Sequence, residues 1–598
     1  MPNQLFSIDL LQPKVVDVVS DDKIYPPNFK TVQNRQPIPE GAFKKRDGLV
    51  DGDVITTAKQ FECQLITPFF LKGSPNTDTI AAFSEQTTDD LCYLYKNVDG
   101  VWSQITGTSI INDGFYYVCN ALTTVSDVIT PVLVIVKSDN TGGAFDDTEN
   151  KNCCLAIFRN PSGGAITVKS IGNDSSLAAP TIKTINWQSA MCVEYHLNKL
   201  WVGGLRESKD PDLVAADPSN PLVDRHNRIR WSKTGDWDTN YVNADPGNAG
   251  SWAEAGTGYL DIPVTGEHRV VGLRQFRGQL YALTTSDLFI VTGTTSAQFG
   301  LTRICSSPSA VGQTMWASDN YLFWADANGI QMFNGSQVKN ITEDTVPLAY
   351  KQKQIEQYDP LGTTVATGYG KVPTAFINEK LKIYGIHWPN LSDDNYGVAS
   401  PDLPGKETWL YNYKSQTFST YVYNLEANYN DVNYVSDYHD TGFVWMGMCN
   451  TDAGNLVPPV AAKYTFEPTT DVADDPGGAI TTILETGDLN LAAMNGFSYE
   501  DVSRLTRLDL YVVPDSSTDV TYKLDITIDN AAQTQQTVTV SASSGATQPQ
   551  YVVVPLPTMK TGSFFRIKLT EDTASVKGDL RRADLFYEVM FKRGGARK

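Results

Sequence analysis

RGQLYALTTSDLFIVTG (277–293) and NYLFWADANGIQMFNG (320–335) each read as an apolar strand, a tight polar turn and a second apolar strand. Short aromatic and β-branched runs parted by Gly, Asn, Asp and Ser turns specify hairpins rather than helices. The same unit returns in LNKLWVGG (197–204), EKLKIYGIHW (379–388) and TGFVWMGM (441–448). With Leu200, Leu280, Leu322, Ile383 and Val444 taken as equivalent positions, the steps are 80, 42, 61 and 61 residues. A propeller blade takes about 40 to 50 residues, so the longer steps imply insertions or a skipped blade.

A four-stranded antiparallel sheet with an apolar face cannot bury that face alone, and radial packing against the next such sheet solves the problem. Two weaker units, around residues 80–105 and 132–168, raise the expected count to six or seven blades. A pair of sandwiches or barrels is the rival topology. The whole chain reads as all-β: a six- or seven-bladed β-propeller with loop insertions, a C-terminal β-sandwich and an extended N-terminal arm.

The arm covers residues 1–45, where Pro2, Pro13, Pro26, Pro27, Pro37 and Pro39 interrupt any periodicity. Such a segment gains order only from a neighbouring domain or subunit. The propeller is expected over 46–467, with insertions near 138–151, 206–227 and 389–407, all rich in Asp, Asn, Pro and Gly. Residues 468–480 (PTTDVADDPGGAI) read as a linker. From 481 to 598 six alternating strands follow, RLTRLDLYVV, VTYKLDITIDN, QTVTVSAS, QYVVVPL, SFFRIKLT and ADLFYEVMFK, the pattern of a compact sandwich.

At 598 residues the chain exceeds what one hydrophobic core supports. A formal charge of −20 makes the average surface repel phosphate, which argues against gripping nucleic acid but suits a conduit that DNA slides through. Acidic residues near the start and the lack of an apolar block give no expectation of a secretory leader, and apolar runs such as 132–136 are strand-sized, so no membrane insertion is expected. The eight cysteines show no CxxC pair and read as reduced, buried small hydrophobes.

Catalytic constellations are missing. The five histidines (His196, His226, His268, His387, His439) fall in no metal-ligand spacing, and no GxSxG elbow occurs. Gly370-Lys371 and Gly405-Lys406 are followed by Val372 and Glu407, not by the Ser or Thr of a phosphate loop. His439 between Asp437 and Asp440 reads as a polar turn. IRWSKTGDWDTN (229–240) loosely resembles the Asp-box turn of sialidase-type propellers, with Thr234 where Asp is expected, and is a turn device. The last twenty residues are locally basic, with Arg581, Arg582, Lys592, Arg593, Arg597 and Lys598 against Asp579, Asp584 and Glu588, and read as a solvated tail, with docking against an acidic neighbour as the alternative. No catalytic, cofactor-binding or metal-binding residue is assigned, and the chain is read as no enzyme.

RIRWSKTGDW, then GLRQFRGQLYALTTSDLFIVTGTTSAQFGLTRI, then VGQTMWASDNYLFWADANGIQMFNGSQVKNIT resembles the middle of the nozzle, or stabilisation, proteins of short-tailed bacteriophages. The resemblance covers about residues 185–345, and PEGAFKKRDGL (39–49) is only loosely like the family's opening. It implies a virion protein assembled in the host cytoplasm: a homohexameric tail ring below the portal and adaptor. Such a ring continues the DNA channel, passes genomic DNA without specific binding, and contacts tail fibres or spikes. Two other readings stand beside it. One is a carbohydrate-binding or glycan-cleaving propeller acting as a receptor-binding tail component, suggested by 11 Trp and 28 Tyr. The other is a bacterial surface adhesin.

Overall fold

The computed structural model describes residues 4–9, 14–15, 28–37, 43–45, 61–69, 78–85, 91–98, 101–111, 116–125, 128–137, 154–159, 166–170, 187–208, 222–235, 257–263, 268–343, 345–353, 372–389, 407–423, 431–435, 443–449, 461–466, 479–493, 501–515, 517–544, 549–573 and 579–590. Seven antiparallel sheets follow one another along the chain. Blade 1 pairs Phe61–Phe69, Asp78–Glu85, Leu91–Val98 and Val101–Ile111; blade 2 pairs Tyr116–Val125, Val128–Lys137, Cys154–Arg159 and Ile166–Ser170. Blade 3 holds Trp187–His196, Lys199–Ser208, Leu222–Trp231 and Gly258–Asp261; blade 4 holds Val270–Phe276, Gln279–Thr284, Asp287–Thr292 and Gly300–Ser306. Blade 5 holds Val311–Ala317, Leu322–Asp326, Gly329–Phe333 and Val338–Asn340, and blade 6 Thr374–Asn378, Ile383–Trp388, Glu407–Asn412 and Thr417–Val422. Blade 7 contributes Asp431–Val435, Phe443–Cys449 and Ala461–Thr465.

The first strand of each blade touches the first strand of the next, and that of blade 7 touches that of blade 1, so the ring closes at seven. Its cause lies in the strand pattern. The run Val132–Val136 is apolar on both sides: Leu133 and Ile135 face blade 1, whereas Val132, Val134 and Val136 face blade 3. A blade covered on both faces needs such continuous apolar strands instead of alternation. Each of the seven junctions accordingly holds its own hydrophobic cluster among the described residues. The closing junction is pinned by Trp445 of blade 7, whose indole N–H donates to Thr79 Oγ1 at 3.0 Å and whose ring meets Trp102 edge-on at 5.5 Å.

All five positions aligned in the sequence begin the second strand of a blade: Leu200, Leu280, Leu322, Ile383 and Val444 are its first or second residue. The step of 80 residues therefore skips no blade. It arises within blade 3, whose second and third strands run on to Ser208 and from Leu222 and remain paired at Arg206↔Asp224 and Ser208↔Leu222. Both ends of the 206–227 stretch are thus strand, a correction to its reading as insertion: Leu205 and Glu207 are buried and Arg206 is held beside Asp224, which ties the polar segment into the ladder. Glu407, the last residue of the 389–407 stretch, likewise belongs to a strand. The stretch 138–151, the Gly-Lys pairs at 370–371 and 405–406, and His439 lie outside the described residues.

Close approach at the hub leaves no room at Gly312. A Cβ there would fall inside the van der Waals radius of the Val271 carbonyl oxygen, between the first strands of blades 4 and 5. Gly312→Ala is expected to force those strands apart and destabilise by about 3 kcal/mol, read from the urea unfolding midpoint; a change under about 0.5 kcal/mol would contradict this packing.

The C-terminal unit is a two-sheet sandwich. One sheet orders Gln4–Asp9, Asp579–Met590, Val502–Val513 and Gln550–Gly562. The other orders Thr482–Thr486, Phe565–Glu571 and Val520–Ile528, with Gln536–Val540 and Ala531–Ala532 on the latter. The arm is built into both units: Gln4–Asp9 pairs with Asp579–Met590, while Asn28–Gln33 lies between Thr482–Thr486 and the last strand of blade 6. Propeller and sandwich therefore share one continuous sheet, and one hydrophobic cluster runs from the junction of blades 5 and 6 through Val32 into the sandwich interior. Asn34, 3% exposed and left-handed at φ 55°, fastens the seam. Its amide donates to the Thr481 carbonyl and accepts from the Val422 N–H, each at 2.7 Å.

Candidate functional site at the propeller axis

The first strands surround the axis, so any axial chemistry depends on their side chains. Tyr117 of blade 2 packs against the clusters at the 2–3, 3–4 and 5–6 junctions. An ion pair links two of the first strands: Arg274 Nη1 of blade 4 is 3.6 Å from Glu194 Oε2 of blade 3. The Arg274 guanidinium also sits 4.0 Å over the Trp316 ring of blade 5 and donates from Nε to the Met315 carbonyl at 3.3 Å. Three consecutive blades are thus tied by one arginine.

Burial holds the Glu194 carboxyl above its usual range, opposed by Arg274 and by the backbone N–H groups of Tyr195 and Gln275. Burial likewise pushes up the thiols of Cys119 and Cys192 and lowers His196, which Gln275 hydrogen-bonds. A buried acid with a raised pKa is a proton-donor candidate. Glycoside hydrolysis, however, takes two carboxyl groups across a cleft. Glu194 is the only acid among the described side chains of the seven first strands.

Neither Glu194 nor Arg274 was singled out in the sequence. The legible signal was a charge inside an otherwise apolar strand, in MCVEYH and VVGLRQF. Periodicity could not pair two residues 80 positions apart.

The SKTG turn is consumed by structure. Ser232, fully buried, exchanges hydrogen bonds with Leu200: its N–H donates to the Leu200 carbonyl and its Oγ accepts the Leu200 N–H, both at 3.0 Å. Lys199 Nζ donates to the Ser232 carbonyl at 3.0 Å, and Gly235, at φ 71°, donates to Asn198 at 2.7 Å. Trp231 packs on Trp201 and Phe299, each with centroids 5.0 Å away. His387 is also enclosed, with Nδ1 3.0 Å from Thr408 Oγ1. Of the five cysteines whose side chains are described, four are buried, Cys305 is half-buried, and all five are free thiols. Among the described residues no group of three or more His, Cys, Asp or Glu side chains is placed to hold a metal, and no helix is long and apolar enough to cross a membrane.

No protein-family model matches the chain, and no curated protein matches its sequence. Solved structures similar to it include a glycoside hydrolase family 43 arabinoxylan arabinofuranohydrolase from Bacillus subtilis, 10% identical over 90% of this chain and 97% of that one, with a TM-score of 0.25. An exo-β-1,3-galactanase from Phanerochaete chrysosporium is 11% identical over 88% and 100% of the two chains, with a TM-score of 0.24. A polysaccharide lyase is 8% identical over 78% and 98%, with a TM-score of 0.35. The β-propeller assignment rests on the strand pairing itself.

Proposed function

We propose that the chain is a structural protein of a short-tailed phage tail, six copies forming the nozzle ring through which DNA leaves the particle. The observation that carries this reading is the arm strand Asn28–Gln33, which welds propeller and sandwich into one sheet and so suits a part that transmits force rather than one that opens around a substrate. The stretch that resembles the nozzle family, about 185–345, spans three complete blades, 3 to 5. The Glu194–Arg274–Trp316 stack, which ties three consecutive blades together, supports a rigid scaffold. At −20 per copy, six copies give a wall that repels the DNA backbone. The ring requires heterologous contacts with neighbouring copies, the portal-side adaptor and fibres or spikes.

Electron microscopy of the virion with an antibody against the chain tests this. The expected result is label on a ring at the tail; label absent from the tail, or a purified protein that releases reducing sugars from envelope polysaccharide, overturns it.

A further inference from the structure

Two sandwich strands carry the same short phrase, Arg-x-Asp-x-aromatic: Arg507, Asp509 and Tyr511 on Val502–Val513, and Arg582, Asp584 and Phe586 on Asp579–Met590. Alternation sends Leu508, Leu510, Ala583 and Leu585 into the core and turns the Arg, Asp and aromatic residues outward. The strands run antiparallel in a register that sets Asp509 opposite Asp584, Arg507 opposite Phe586 and Tyr511 opposite Arg582. Each arginine therefore lies over the aromatic ring of the other strand, Arg507 at 3.9 Å from the Phe586 centroid and Arg582 at 5.2 Å from that of Tyr511.

Each arginine also clamps the aspartate two residues on. Arg507 Nη2 donates to Asp509 Oδ2 at 2.9 Å, and Arg582 donates from Nε and Nη2 to the two oxygens of Asp584 at 2.7 and 2.9 Å. A tyrosine completes each clamp: the Tyr551 hydroxyl donates to Asp509 at 2.6 Å, and Tyr511 hydrogen-bonds Asp584. The Tyr511 and Tyr551 rings are 5.3 Å apart.

Stability alone does not account for this arrangement. Like charges directly opposite on paired strands are destabilising, and burying two carboxylates carries a desolvation cost that the arginine pairs must offset. What the arrangement does achieve is presentation. The carboxylate side chains are 1% and 2% exposed, whereas Arg507 and Arg582 are 40% and 45% exposed and Tyr551 is 50% exposed. A ligand arriving at this face meets cationic planes and aromatic rings already fixed in place, while the negative charge lies beneath them. Arg507 Nε and Asp509 Oδ1 are buried and have no hydrogen-bond partner among the described residues.

We propose that this outer face of the sandwich binds an anionic polysaccharide, the sugar carboxylates pairing with Arg507 and Arg582 and a pyranose ring lying on Tyr551. The two arginines and two aspartates sum to zero charge, so it is the half-exposed guanidinium planes, lying over buried carboxylates, that select an anion. Rigid guanidinium planes suit carboxylates, and little order is left to lose on binding. A protein partner fits less well, because the centres of protein interfaces are depleted in charge whereas the centre of this face is built of charged residues. The inference stands apart from the tail reading, since it concerns a surface and not the ring.

Affinity electrophoresis of the full-length chain through gels containing polygalacturonate or neutral dextran tests it. Retardation by polygalacturonate only, abolished at about 0.5 M salt, is expected. Arg582→Gln is expected to weaken retention by about tenfold or more, and Tyr551→Ala by a similar factor, while Tyr551→Phe, which keeps the ring, stays within about threefold of the unmodified protein. No retardation of the unmodified chain, equal retardation by dextran, or full retention in Tyr551→Ala overturns the proposal. Self-association lost in Arg582→Gln without polysaccharide binding would assign the face to a second copy instead and also overturns it. The salt and dextran comparisons on the unmodified chain stand even where a variant fails to fold.

Discussion

Asn34→Ala should lower the stability of the protein by about 3 to 5 kcal/mol and should separate the unfolding of the sandwich from that of the propeller. Two effects add. The Thr481 carbonyl and the Val422 N–H lose their side-chain partner at a buried seam, each a loss of about 1 to 3 kcal/mol. Alanine must also hold the left-handed backbone at φ 55°, which costs about 1 to 2 kcal/mol. Asn34→Gly removes the second effect and keeps the first, so it should recover about 1 to 2 kcal/mol of the loss. Urea unfolding followed by tryptophan emission reports mainly on the propeller, because 10 of the 11 Trp lie between residues 102 and 409 and the last is Trp445. The sandwich has none, so amide hydrogen exchange over 502–590 supplies its transition. Coincident transitions in Asn34→Ala, with no loss of stability, would show that the seam is held elsewhere.

Asp326→Ala is expected to cost about 3 to 5 kcal/mol, for a reason confined to blade 5. The carboxylate is fully buried at the turn between two strands of that blade and accepts four hydrogen bonds: Ser307 Oγ at 2.8 Å, the Asn328 N–H at 2.8 Å, Gln331 Nε2 at 3.1 Å and the Gly329 N–H at 3.2 Å. Ser307 in turn accepts the Trp324 indole N–H at 2.7 Å. Alanine strands three buried donors and one partly buried one at once. Asparagine retains an acceptor oxygen and should lose far less.

The pH dependence separates charge from hydrogen bonding at this turn. Burial holds the Asp326 carboxyl above its usual range in spite of its four donors. A folded pKa above the unfolded value of 3.8 means that the native state binds the proton more tightly. The stabilisation is then complete below the unfolded pKa and is lost as pH rises through the folded one. Asp326→Asn does not titrate, so the stability difference between the variant and the unmodified protein should move in favour of the variant from acid to neutral pH. A constant difference across that range would mean that the carboxyl titrates normally.

Much of the fold was legible because blades and sandwich are short-range devices. Leu200, Leu280, Leu322, Ile383 and Val444 could be aligned because each follows a short run of turn-forming residues in the sequence, and turn chemistry is local. The six sandwich strands were readable for the same reason, their alternation being complete within seven to eleven residues. The strand Thr482–Thr486 escaped notice because only five residues carry it and its partners are Phe565–Glu571 and the distant arm. The 80-residue step was ambiguous because polar residues of the extended blade 3 hairpin, Arg206 and Asp224 among them, read as loop until their pairing is seen.

At the axis and on the sandwich face, residue identity was visible but placement was not. Glu194 and Arg274 are ordinary charges in the text, and only the packing of blade 3 against blade 4 brings them together. Arg507-x-Asp509 and Arg582-x-Asp584 are plain in the sequence, yet the register that opposes the two aspartates is set by strands about 75 residues apart closing on each other.

The sequence by itself determined that the chain is all-β, that hairpins repeat along it, and that alternating strands follow beyond residue 480, since alternation and turn residues act over a few bonds. Only the tertiary structure decided that the ring has seven members, that the proline-rich arm is a strand shared by both units, and which charges meet. Those outcomes depend on contacts between residues tens to hundreds of positions apart, such as Asn34 with Thr481 and Trp445 with Thr79, whose pairing no local pattern encodes.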